Sequence, residues 1–162
     1  MVVVRSETNN WEIPLLGEPH DREQFLCQLA AAIVELLTAN TDRAILNRTL
    51  AALGEAMGVD RVYLWEKPIE STIRWHGEWT CARVDPETEK NAQQLIQSAD
   101  IMAQWWSLLA QGQAIRGAIE DFPLSDRAVL EACQIRAIFL LPIPVNGEYW
   151  GCLGFEAIGE TL

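Results

Sequence analysis

The sequence predicts an α+β domain, a central antiparallel sheet of five to six strands with helices on its faces. Three observations predict it. The stretch Ile135–Glu156, IRAIFLLPIPVNGEYWGCLGFE, reads as two long strands around Asn146-Gly147, two residues that tolerate the positive φ of a tight type I′ turn. Two successive segments, beginning near Asp21 and Asp42, repeat their apolar residues at three- and four-residue steps, as helices lying on a sheet do. Further strand-like runs, RVYLWEK and TIRWHGEWTC, are separated by a hairpin-length gap rather than a helical crossover, which favours antiparallel pairing.

Taken in order, residues 1–20 show no period and form a leader. Residues 21–40 form a connecting helix whose stripe contains Phe25, Leu26, Leu29, Ala30, Ile33, Val34, Leu36 and Leu37, with Asp21 and Glu23 at its positive end. Leu26, Ile33 and Leu37 cannot share the narrow face set by Leu29 and Leu36. The dimerisation set Phe25, Leu26, Leu29, Ile33 and Leu37 is therefore expected to pair two copies of the chain. The domain proper is placed at 41–162. Asn40-Thr41-Asp42 caps its first helix, Leu46, Leu50, Leu53 and Met57 line one side, and Gly58 ends it in a left-handed conformation. Arg61–Lys67 alternates as a strand, and Thr72–Cys81 is a second strand or a hairpin around His76-Gly77-Glu78. Asp85-Pro86 suits a helix start, followed by a polar, weakly helical connection. Ile101–Leu109 is a helix crowded with Met102, Trp105, Trp106, Leu108 and Leu109. Ala114–Glu120 is a short strand, and Ser125 or Asp126 caps a helix running through Cys133 into the hairpin. In that hairpin, Pro142 and Pro144 call for a sheet edge or a bulge, and Gly151 and Gly154 leave room for close packing.

Composition narrows the function. The 162 residues are enough for one domain with a real core, and 49% hydrophobic with 22% charged is globular. A net charge of -11 repels phosphate backbones and anionic lipid, so neither nucleic acid nor membrane is an expected partner. No apolar run reaches the roughly twenty residues of a membrane span, and MVVVRSETNN lacks the form of a signal peptide. Cys27, Cys81, Cys133 and Cys152 make no C-x-x-C pair, and His20 and His76 are the only histidines. Reduced thiols in a cytoplasm, without metal, are the plain reading.

Three segments carry a family resemblance: LNRTLAALGEAMGVDRVYLWE (Leu46–Glu66), WWSLLAQGQAI (Trp105–Ile115) and LEACQIRAIFLLPIPVNGEYWGCLGFE (Leu130–Glu156). In order and spacing the chain resembles a GAF domain, of the kind found in cyanobacterial and other bacterial sensor histidine kinases. The resemblance implies a paired N-terminal helix. It also implies an excised piece of a longer signalling protein, with an output domain such as a histidine kinase or a cyclic-dinucleotide enzyme.

Several chemistries occur on that fold. A covalent linear tetrapyrrole in such relatives needs a Cys-His pair shortly before the Gln134-Ile135-Arg136-Ala137 strand, and Ser125 and Asp126 stand there, so no covalent bilin and no other cofactor is expected. The cyclic-nucleotide signature of the family is not visible, and no glycine-rich loop would cradle a phosphate. The enzymatic alternative resembles free methionine sulfoxide reductase, which needs an attacking thiolate and a resolving thiol. Of the four cysteines, Cys81 alone falls in the expected neighbourhood; Cys133 and Cys152 read as buried packing residues. Acidic Glu120, Asp121 and Asp126 read as a solvated loop, and His76 as a polar residue at a strand bend. By the resemblance, Trp75, Trp79, Trp105 and Trp106, with Arg74, Arg116 and Ser125, surround a ligand cavity suited to a planar or hydrophobic effector. The competing reading is that the indoles fill that cavity. The expectation is a non-enzymatic sensor or dimerising relay.

Overall fold

The computed structural model describes residues 29–30, 42–69, 72–87, 90 and 101–159. Within them, α1 (Arg43–Met57) leads into the hairpin β1 (Arg61–Ile69) and β2 (Thr72–Thr80). Then come α2 (Ile101–Ala110), β3 (Ile115–Ala118), a 3-10 turn at Ile119–Asp121, α3 (Leu124–Ala132), and the hairpin β4 (Ile135–Val145) and β5 (Glu148–Ile158). The five strands form one antiparallel sheet in the order β2-β1-β5-β4-β3. This is the expected α+β architecture.

Local chemistry accounts for most boundaries. The Asp42 carboxylate accepts from the Ala44 amide at 3.0 Å, and Gly58 closes α1 with φ 64°. Asn146 (φ 52°) and Gly147 (φ 79°) make the tight turn between β4 and β5. Helix α3 starts at Leu124 after Pro123, so Ser125 and Asp126 lie in its first turn rather than at its cap. Strand β3 pairs with β4 only between Ala137 and Leu140. Beyond that point no strand among the described residues pairs with that side of β4, and a bulge opposite Ile143/Pro144 relaxes the register. Both prolines are thereby placed where a missing N–H costs little.

Alternation divides the buried residues between the two faces of the sheet. On one face Leu46 and Leu50 of α1 meet Val62, Leu64, Phe139, Leu141, Ile143, Leu153 and Phe155. Leu29 and Ala30 pack on this face as well. On the other face α2, the 3-10 turn and α3 cover Tyr63, Trp65, Ile138, Leu140 and Cys152. The rest of the predicted leader and connecting helix, including Phe25, Leu26, Ile33 and Leu37, lies outside the described residues.

Candidate functional site

The face under α2 and α3 carries the chemistry. Arg61, Tyr63 and Trp65 alternate along β1 and point into it, and all three are almost fully buried. Arg61 donates from Nε (2.7 Å) and from Nη2 to Glu156 Oε2, while Tyr63 Oη donates to Glu156 Oε1 at 2.7 Å. Glu78 on β2 stands 3.8 Å from Arg61 Nε. Gly154 lies opposite Tyr63 in the register, and a Cβ there would collide with the phenol ring. Burial alone would lower the Arg61 pKa, but the charge of Glu156 and its hydrogen bonds outweigh it and hold the guanidinium above its ordinary value. Burial, reinforced by Glu156, pushes the Tyr63 phenol well up, so it remains a donor.

Beside this network the aromatic rings gather. Tyr63 stacks on Trp65 with centroids 4.4 Å apart, and Trp75 meets the edge of Trp65 at 4.6 Å. Trp106 of α2 approaches Trp65 at 6.1 Å and Tyr149 of β5 at 6.0 Å. Trp105 turns aside to Phe122 at 5.9 Å. Tyr63 and Trp65 form the floor, and the half-buried Trp75, Trp106 and Tyr149 form the solvent-side rim. Three polar atoms of this cluster are buried without a hydrogen-bond partner among the described residues: Trp65 Nε1, Trp75 Nε1 and Tyr149 Oη. Arg61 Nη1 is in the same position at the inner end.

Two β-bulges assemble the cluster. In the β1–β2 register Leu64 opposes Gly77 and Trp65 opposes Trp75, so His76 is an extra residue. In the β4–β5 register Ile143 opposes Gly151 and Pro144 opposes Tyr149, so Trp150 is another. Each extra residue inverts the alternation beyond it. The two extra residues meet on the α1 face, where their rings are 5.1 Å apart and His76 Nε2 is 2.8 Å from Glu66 Oε2. Their neighbours Trp75 and Tyr149 are thereby thrown onto the opposite face, around Trp65. Strand β2 runs straight through His76-Gly77-Glu78 and makes no hairpin there.

Of the seven residues assigned to a cavity by resemblance, the structure brings together Trp75 and Trp106, with Trp105 adjoining. Trp79 lies on the other face, its ring against Gly54 of α1, because the bulge breaks the spacing that would align it with Trp75. Arg74 opposes Glu66 on that same face, its side chain 64% exposed. Arg116 opposes Phe139, also of the α1 face, and is exposed. Ser125 is exposed, with its hydroxyl donating to Asp126 Oδ1 at 3.0 Å. Asp126 itself is buried rather than part of a solvated loop, since it faces inward from the first turn of α3. Sequence reading missed Tyr63, Trp65, Tyr149 and the Arg61–Glu156 pair. The alternation in RVYLW carried the signal for the first two.

The thiols divide by place. Cys133 closes α3 and is buried, and burial, with the nearby Glu156 charge, pushes it up to about 11. Cys152 lies within β5, and burial pushes it up further still. Half-buried Cys81 donates to Asp60 Oδ1 at 3.3 Å. Among the described residues no group of three or more histidines, cysteines and carboxylates is placed to hold a metal, and no helix is long and apolar enough to cross a membrane.

The GAF domain family pattern matches residues 43–160. This chain belongs to the GAF domain family. The GAF domain is 30% identical over 138 residues to the methanogenesis regulatory histidine kinase FilI of Methanothrix harundinacea. That alignment takes in 83% of this chain but only 16% of the kinase. In three dimensions the GAF domain is similar to the photoproduct state of a GAF domain from Synechocystis (TM-score 0.59, 20% identity, 73% of this chain and 78% of that one). It is also similar to a phycoerythrobilin-bound GAF domain from a cyanobacterial phytochrome (TM-score 0.59, 14% identity, 88% and 85%). At these identities the likeness to the two structures is one of fold.

Proposed function

We propose that this GAF domain is a non-enzymatic regulatory module of a cytoplasmic histidine-kinase-type protein, receiving a small molecule on the aromatic face and relaying its occupancy to an output domain. The observation that carries the reading is the trio of buried, unpartnered polar atoms within the aromatic cluster. Buried donors left unsatisfied cost about 1–3 kcal/mol each, so an acceptor bound beside these three, which have no partner among the described residues, would be stabilising. The kinship with a regulatory kinase supports the output side.

The thiols speak against the reductase alternative. Cys133 at about 11 stays protonated near neutral pH, Cys152 is raised higher, and Cys81 is engaged with Asp60. The absence of a covalent bilin is part of the proposal, supported by exposed Ser125 at the position where the family resemblance puts the attachment cysteine and by buried Cys133 at the far end of α3. Co-expression with a tetrapyrrole pathway is expected to leave no zinc-fluorescent band on a denaturing gel; a band that survives would defeat this part of the reading. A homodimer through the helix carrying Phe25, Leu26, Leu29, Ile33 and Leu37 completes the proposal, since two-fold pairing sets both copies equivalently over a paired output.

Native mass spectrometry of the purified protein, with its absorption spectrum, tests the reading. A non-covalently retained small molecule, lost on denaturation, is the expected result. Thiol-dependent reduction of free methionine sulfoxide that disappears in Cys81→Ser would overturn it.

A further inference from the structure

We propose that the aromatic cluster selects a flat, uncharged molecule with hydrogen-bond acceptors on its edge, of the class of neutral heteroaromatics, held by donation from Trp65 Nε1, Trp75 Nε1 and Tyr149 Oη. The proposal rests on the sensor reading above and names the ligand chemistry for that site. An indole N–H can only donate, so two of the three unpartnered atoms demand an acceptor, and the third can serve the same way. Trp65 is 1% exposed, and its nitrogen therefore has no recourse to bulk water. The rings fix the shape. Tyr63 already covers one side of Trp65 at 4.4 Å, and Trp75, Trp106 and Tyr149 pack at the margin of the cluster, so a planar guest is the shape that would extend these ring contacts.

Charge fixes the rest. The only cation of the network, Arg61, gives Nε and Nη2 to Glu156 and stands beside Glu78, so an added anion would meet two carboxylates for one guanidinium. A chain of net charge -11 opposes anions further. A group that only donates, such as an ammonium, would leave these N–H donors unsatisfied, so the guest must carry acceptors.

Three bicyclic probes of one outline separate these cases: quinoxaline, neutral with two ring-nitrogen acceptors; naphthalene, without acceptors; and naphthalene-2-carboxylate, anionic. Titration by quenching of tryptophan fluorescence is expected to give quinoxaline about tenfold tighter binding than naphthalene, the equivalent of one or two modest hydrogen bonds. Tyr149→Phe, which removes only the hydroxyl, should weaken quinoxaline about threefold or more and leave naphthalene unchanged, and Trp75→Phe, which removes ring area as well as the N–H, should weaken quinoxaline by more than it weakens naphthalene. Far-UV circular dichroism confirms that both variants are folded. Equal affinity for quinoxaline and naphthalene would overturn the proposal, because ring packing alone would then explain binding. Tightest binding of the carboxylate would overturn it in favour of an anion site at Arg61 Nη1. Failure of all three probes overturns it too. If native spectra still show a retained molecule in that case, the chemical class falls and the sensor reading stands; if they show none, both fall.

Discussion

The two faces of the sheet are built on different principles. Under α1 the buried core is apolar throughout, Leu46 and Leu50 on Val62, Leu64, Leu141, Ile143 and Leu153 with the stacked Phe139 and Phe155, and such groups leave nothing to satisfy. Under α2 and α3 the core holds a charged pair, a phenol, two thiols and several indoles, and some of its polar atoms lack partners among the described residues. A face that only needed burial would follow the first pattern, since apolar packing stabilises without requiring exact geometry. The second pattern stabilises only when every member is satisfied, so the polar face is the one on which a ligand can act.

The largest expected effect tests the polar face at its centre. Glu156→Ala leaves Arg61 buried without its partner and should cost about 3–5 kcal/mol by urea denaturation. Arg61→Met combined with Glu156→Leu should recover most of that loss, because an apolar pair has no charge to compensate. A single-mutant cost below about 1 kcal/mol would mean the pair is not buried as described.

Leu50→Ala makes the matching test on the apolar face. It should cost about 2–5 kcal/mol through lost burial and a cavity, with quinoxaline affinity unchanged. Altered probe binding in this variant would show that the two faces are not independent.

A smaller effect distinguishes the faces by pH. Cys133 is raised from 9.0 to about 11, so the unfolded chain releases this proton first as pH rises. The stability it contributes is complete below about 9 and is lost as pH climbs through about 11. Cys152 and Tyr63, also raised by burial, act in the same direction. The urea midpoint should decline over that window, and Cys133→Ala should flatten the decline. An unchanged slope in the variant would remove Cys133 from the account.

The smallest effect on stability is expected at Leu26 and Ile33, in the segment that the sequence predicts to be a connecting helix. Leu29 and Ala30 already pack on the apolar face. Leu26→Glu with Ile33→Glu should convert a homodimer to a folded monomer by analytical ultracentrifugation, with unchanged far-UV circular dichroism. A wild type that is monomeric at tens of micromolar would end the dimer proposal, and so would a double variant that unfolds.

Much of the fold was legible because its signals are local. Asp42 and Gly58 bound α1, Asn146-Gly147 turns the last hairpin, and the period of each run names its element. The site was legible only in part. Trp75 and Trp79 are four residues apart, an even spacing that places them on one face of any regular strand. His76 inserts an extra residue between them and sends them to opposite faces.

The sequence by itself determined the element types, their order, the antiparallel hairpins and the family, since caps, turns and periodicity act over a few neighbouring residues. It also determined that Arg61, Tyr63 and Trp65 share one face, through simple alternation. Only the tertiary structure decided where register slips. The bulges at His76 and Trp150 depend on how each strand meets its partner, and their rings meet across strands that lie far apart in the chain. The same holds for Glu156, which looks like one more acidic residue near the end of a strand until pairing sets it opposite Arg61. A carboxylate acquires that role from a neighbour 95 residues away, and no local pattern records such a meeting.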